Sequence, residues 1–312
     1  MPLARLPEDV ERYIFEIGAF SNPRSIFTYM LVARRVKIWL EPLLYRTLVT
    51  GSEAIPAIPA VPLQRILDLP DAPRLTAHTH NLLCHTLTQE QILKIIALCP
   101  NVRNLFVTPY AWHMDEESWM DLAVGVASLR RLRRLHFSLH CMFVKDFDGG
   151  EASASHDWQC ALIHTPLFST LKQLTHLEIF SGLGEASDDG APHPRWKLLA
   201  ELPLLTHLAL NWLEPELWRA LLRAPMHLQV LAILTSFDPS FRPTAIADGV
   251  PDDDPRFVVI NQDRFAEDWQ KGAVAGEDYW NAAERFIEKK KNGLIEQDAF
   301  YIELVDNSMN EN

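Results

Sequence analysis

The chain has 312 residues and carries 29 Lys and Arg against 41 Asp and Glu, a formal net charge of −12 at pH 7. That balance argues against a nucleic-acid surface, which needs a basic patch, and against an anionic membrane. With 48% apolar residues there is enough hydrophobic material for a sizeable core, in one large or two or three smaller domains.

Residues 1–50 are slightly basic, with seven Lys and Arg against five Asp and Glu, and read as a helical unit. Leu6 precedes Pro7, which suits the start of a helix, and Glu8 and Asp9 favour the positive end of its dipole. Val10, Ile14 and Ile17 fall on one face, widened by Tyr13 and Phe15. Gly18 marks an end, and Asn22-Pro23 a restart with Asn22 as the cap. Ile26, Phe27, Met30 and Leu31 follow at helical spacing. In the next helix Val36, Trp39 and Leu40 are apolar, and Pro42 is expected to break it after Glu41.

Residues 51–73 hold Pro56, Pro59, Pro62, Pro70 and Pro73, which exclude a continuous helix and read as a linker. A strand is expected over 74–83.

From residue 74 to 238 one pattern recurs: Leu, two residues, Leu, one residue, then an apolar residue. The copies are Val102–Val107, Leu132–Phe137, Leu174–Ile179, Leu205–Leu210 and Leu228–Ile233. Their second leucines lie 30, 42, 31 and 23 residues apart. In a strand the second Leu and the residue two places on share a face, and neither is buried until copies stack. Segments with helical periodicity lie between most copies, at 90–98, 117–129 and 215–222. Strand and helix in alternation predict an α/β fold. With this repeat, the expectation is an irregular leucine-rich-repeat solenoid; the alternative is an ordinary doubly wound sheet. Two polar, Gly-containing stretches, 146–156 and 181–194, interrupt the pattern as loops.

Residues 239–312 begin with a Pro- and Asp-rich stretch ending in Asp252–Asp254. A short strand at 256–260 and helices at 263–271 and 276–291 follow, the second with Lys289 to Lys291 in its last turn and Gly293 beyond. This module is expected to cap the open end of the stack.

The N-terminal unit resembles an F-box. Leu6-Pro7, Ile14-Phe15, Leu31-Val32 and Arg34-Arg35 match that family's pattern, and Glu41 to Val49 looks like the exit segment of fungal F-box-like proteins. Val36 stands where the family carries Trp, with Trp39 one turn later, and Pro23 to Ile26 replace the central Leu-Asp-Leu. The resemblance covers about one seventh of the chain. It implies a contact with the Skp-type adaptor of a cullin-RING ubiquitin ligase, made by Leu6, Pro7, Ile14, Phe15, Leu31 and Val32. It also implies a non-catalytic receptor whose repeats bind a target protein. The other reading is an interaction scaffold with no ubiquitin connection, its N-terminal helices serving as a cap on the repeats.

No nucleophile elbow, P-loop, dinucleotide fingerprint or zinc-protease motif occurs, so neither catalytic nor cofactor residues are assigned. Cys84, Cys99, Cys141 and Cys160 form no C-x-x-C pair and read as buried, reduced thiols of a cytoplasmic or nuclear protein. His136 and His140 share strand parity but lie too far apart to share an ion easily. His176 and His207 occupy equivalent repeat positions and are expected side by side as a ladder, either as half-exposed strand residues or as a pH-sensitive or partner-contacting pair. No secretory segment and no 18-residue apolar span is read.

Overall fold

The computed structural model describes residues 6–50, 61–62, 69–85, 87–108, 116–137, 166–180, 196–211, 214–235, 254–262 and 264–304. The head comprises α1 (Glu8–Ser21), a 3₁₀ turn at Pro23–Ser25, α2 (Ile26–Met30) and α3 (Arg34–Leu44). Two expected breaks do not occur. α1 runs through Gly18 to Ser21, and α3 continues through Pro42 to Leu44. Asn22 makes no side-chain capping bond.

Strands β1 (Thr47–Val49) and β2 (Val61–Pro62) precede α4 (Ala72–Thr76) and β3 (Asn81–His85). Arg74 therefore begins no strand; it lies in α4. The chain continues through α5 (Gln89–Leu98), β4 (Asn104–Thr108), α6 (Glu116–Ala127), β5 (Arg134–Phe137), α7 (Pro166–Leu171) and β6 (His176–Ile179). It then forms α8 (Lys197–Ala200), β7 (His207–Leu210), α9 (Pro215–Arg223) and β8 (Val230–Thr235). The last elements are β9 (Phe257–Asn261), α10 (Phe265–Ala275), α11 (Tyr279–Lys291) and β10 (Tyr301–Glu303).

The ten strands among the described residues join one sheet in the order β10-β9-β8-β7-β6-β5-β4-β3-β1-β2, each pair parallel. The register sets like against like. Leu82, Leu105, Leu135, Leu177, Leu208, Leu231 and Phe257 lie opposite one another across β3 to β9. Two residues on, Cys84 pairs with Val107, and Phe137, Ile179, Leu210, Ile233 and Val259 continue that row. Both rows are buried in one long core with the apolar faces of α4 to α9, among them Ile92, Ile96, Leu122, Phe168, Leu217 and Trp218. Thr88 caps α5 with a reciprocal Gln91 bond, so that helix starts sharply.

The opposite face of the sheet overturns the expected architecture. A leucine-rich-repeat solenoid leaves its inner sheet face open. Here α10 and α11 lie across it. Trp269 packs on Val49, Leu83 and Phe106. Tyr279, Trp280, Ala283 and Ile287 pack on Ala209, Val230, Ala232, Val258 and Ile260. The irregular solenoid with a C-terminal cap is therefore corrected to an open, all-parallel α/β sheet covered on both faces. The residues explain the difference. Strands such as Val230–Thr235 and Phe257–Asn261 are apolar at successive positions, as strands buried on both sides must be. β9 and β10 extend the sheet, and the helices return over its face instead of closing its end.

Candidate functional site

The head builds a small core of its own. Ala19, Ile26, Val36, Trp39, Leu40 and Leu44 are buried together, with Phe15, Tyr29 and Met30 against them. Phe15 meets Tyr29 edge-on at 6.0 Å. Arg35 of α3 grips Glu11 of α1 through two donors, Nη2 at 2.6 Å and Nε at 3.1 Å. Val36 is fully buried. The position where the resembled family carries Trp thus serves this core and adds nothing to the surface.

The stripe on α1 that periodicity marks as core faces outward. Val10, Tyr13, Ile14, Ile17 and Phe20 recur every three or four residues and are all exposed. Of the six residues assigned to adaptor contact, Leu6 is 57% exposed, Ile14 52%, Leu31 86% and Val32 62%. Pro7 is exposed too, whereas Phe15 is half-buried and belongs to the head core. Phe27 and Ile38 join the exposed set. Fourteen large apolar side chains are exposed among the described residues, and ten of them lie between Leu6 and Ile38. Scattered apolar exposure is ordinary; its concentration in one small unit is not.

A second polar arrangement lies between the sheet and α10 and α11. Asn81, Asn104, Arg134, His176 and His207 occupy one register column of β3 to β7. Asn81 Nδ2 donates to Ala273 O at 3.1 Å, and Trp269 Nε1 donates to Asn104 Oδ1 at 3.0 Å. Arg134 donates to Asp278 at 2.9 Å. His176 and His207 stack on each other and meet Trp280 edge-on, and His207 Nε2 lies 3.0 Å from Glu284. In the next column Tyr279 Oη donates to Glu178 Oε2 at 2.5 Å, and His136 Nδ1 lies 2.5 Å from the same oxygen.

Burial sets the protonation of this seam. It lowers the His176 pKa to about 2, helped by His207, Arg134 and His136 nearby. His207 is also lowered by burial, against the opposing pull of Glu284. Asp268, which accepts from the Tyr279 amide, is pushed up to about 7 by burial, and Asp278 and Glu178 add to the rise. Burial and the neighbouring Glu178 raise the Tyr279 hydroxyl. His176 and His207 thus stand side by side as their equivalent positions imply, but against α11 and not as a half-exposed surface pair.

Elsewhere, Cys84 and Cys99 are free and buried, and desolvation raises both thiols, Cys99 to about 12. Cys141, Cys160, His140, the strand-following aromatics Trp112 and Trp212 that could line a recognition edge, and the 146–156 and 181–194 stretches lie outside the described residues. Asp254 does not present a free charge; it pairs with Arg256 at 2.6 Å. Among the described residues no cluster of three His, Cys, Asp or Glu is placed to hold a metal, and no helix is long and apolar enough to cross a membrane. Compared with models of known families, with curated proteins and with solved structures, the chain matches none.

Proposed function

We propose that the protein is a non-catalytic receptor subunit of a Skp–cullin–F-box type ubiquitin ligase. Its helical head docks the Skp-type adaptor, and the α/β domain presents a target protein. One observation carries this reading: the head turns its apolar stripe outward while a separate set of side chains fills its core. A unit serving only as a cap would bury Ile14, Leu31 and Val32 against the sheet domain. These three are exposed instead. Leu6, Pro7, Ile14, Leu31 and Val32 are the contact residues on this reading, with Phe15 supporting them from the core. Large apolar groups at the centre of such an interface supply most of its affinity. The buried, unpaired Cys84 and Cys99 accord with a reducing cytoplasmic or nuclear setting.

The test is calorimetric titration of the folded protein with purified Skp-type adaptor. Binding by the wild type and its loss in Ile14→Asp/Leu31→Asp, with the circular dichroism spectrum and melting temperature kept, supports the proposal. Absence of binding by the folded wild type removes it.

A further inference from the structure

The turns that lead into β1, β3, β4, β5 and β6 carry an unbalanced charge. Their equivalent positions are defined by a continuous backbone ladder. The amides of His80 and Asn81 donate to Arg46 O, those of Arg103 and Asn104 to His80 O, those of Arg133 and Arg134 to Arg103 O, and those of Thr175 and His176 to Arg133 O. Arg46, His80, Arg103 and Arg133 therefore stand on four consecutive rungs, about 5 Å apart. Arg130, Arg131 and Lys172 lie in the same turns. Together these turns (45–46, 77–80, 99–103, 128–133 and 172–175) hold six of the 29 cationic residues and none of the 41 acidic ones.

The six cations are exposed, and among the described residues none pairs with a carboxylate. Arg46 lies over the Phe20 ring at 5.5 Å, Lys172 over Phe168 at 5.0 Å, and Arg133 donates to Gln173 and to Leu132 O. Arg134, the next strand residue, points to the other side of the ladder and is neutralised by Asp278. The local field is positive enough to register on a neighbour: after burial, Arg103, Arg46 and Arg131 are the largest causes of the lowered His80 pKa. Such a strip in a chain of net charge −12 is not explained by the fold, because repulsion among unpaired like charges costs stability.

We infer that this edge of the sheet binds an acidic polypeptide segment, one rich in Asp and Glu, laid across the rungs from Arg46 to Lys172. The strip is about 20 Å long, the reach of roughly six extended residues. Guanidinium groups suit carboxylates because their donors match a carboxylate's two oxygens. The strip is narrow and set in an acidic protein, so a polyanion following a broad basic face, as nucleic acid does, is disfavoured. This inference is independent of the adaptor contact, since it uses none of the apolar head residues assigned to it.

The probe is a fluorescein-labelled peptide of eight glutamates, followed by anisotropy at 20 and 150 mM NaCl. Saturable binding that weakens with salt is expected, with at least a tenfold loss in Arg103→Glu/Arg131→Glu/Arg133→Glu. Lys289→Glu/Lys291→Glu, which reverses two exposed cations on α11, is expected to change affinity less than twofold. No saturable binding by the wild type overturns the inference, as does an equal loss in the α11 variant. Tighter binding of an eight-nucleotide RNA than of the peptide also overturns it. Charge reversal at exposed sites leaves the core intact, and circular dichroism of each variant verifies this.

Discussion

His176 and His207 stack face to face, ring centroids 4.0 Å apart and planes 8° from parallel, under the edge of Trp280. Two imidazoles so placed cannot both take a proton cheaply. Folded His176 stays neutral down to about pH 2, whereas the unfolded chain protonates it near its ordinary value of about 6.5. The unfolded state thus binds more protons throughout that window. The contribution of His176 to stability is full above pH 6.5 and falls as pH drops, by about 1.4 kcal/mol per pH unit for one group. His207 adds in the same direction. Urea midpoints measured from pH 7 to 4 are expected to fall steeply in the wild type and less steeply in His176→Gln.

Asp268 works the other way. Its folded pKa of about 7 lies above the unfolded value of about 3.9, so the folded state keeps a proton that the unfolded chain releases. Its stabilising contribution is present below pH 4 and is lost as pH rises through 7. Asp268→Asn retains an acceptor for the Tyr279 amide and cannot ionise. The substitution is expected to leave stability at pH 4 unchanged and to raise it at pH 8 by about 2 kcal/mol, a figure discounted for partial exposure. The measurement is denaturant unfolding at the two pH values.

Gly272 sits inside α10, where Gly ordinarily weakens a helix. Its place is explained by Asp278: a Cβ on Gly272 would stand 2.6 Å from Asp278 Cβ and 2.9 Å from Asp278 Cγ. Gly272→Ala would push aside the residue that caps α11 and pairs with Arg134. A loss of about 2 kcal/mol is expected despite the better helix propensity of Ala, read from the thermal midpoint.

The head separates core from surface sharply enough to test by substitution. Trp39→Ala removes a side chain from the buried cluster and is expected to cost about 3–5 kcal/mol. Leu31→Ala, at an 86% exposed position, is expected to change stability by less than about 0.5 kcal/mol. If both residues serve packing alone, the second figure rises towards the first.

The strands were legible because period-two spacing and repeated leucines act locally. Each Leu-x-x-Leu-x-apolar copy is a strand start, and its leucines meet on adjacent rungs. Helical periodicity placed α5 and α9 to within one residue, and end signals placed the last turn of α11, whose start lies three residues later than expected, at Tyr279. The covering of the inner face was not. Asn81, Asn104, Arg134, His176 and His207 each stand beside a core Leu, on the face that strand alternation turns away from that core. Their partners Ala273, Trp269, Asp278 and Glu284 lie between 77 and 192 positions away in sequence. The outward stripe of α1 misleads for a related reason: periodicity identifies an apolar face but not what covers it. Pro42 was misread as a break: it has no amide to donate to Ile38 O and so costs α3 one bond, yet the helix runs two residues further, to Leu44.

The bond from Asn81 to Ala273 joins a strand near the start of the sheet to a helix near its far end in sequence. Proteins assembled from neighbour-only units can fray or nucleate piecemeal. This one is laced shut by late-synthesised residues lying on early ones. Non-local closure of that kind slows folding. Until residues 265–284 have emerged, Asn81, Asn104, Arg134 and His207 lack the partners that bind them, and Leu83 and Phe106 beside them stay bare.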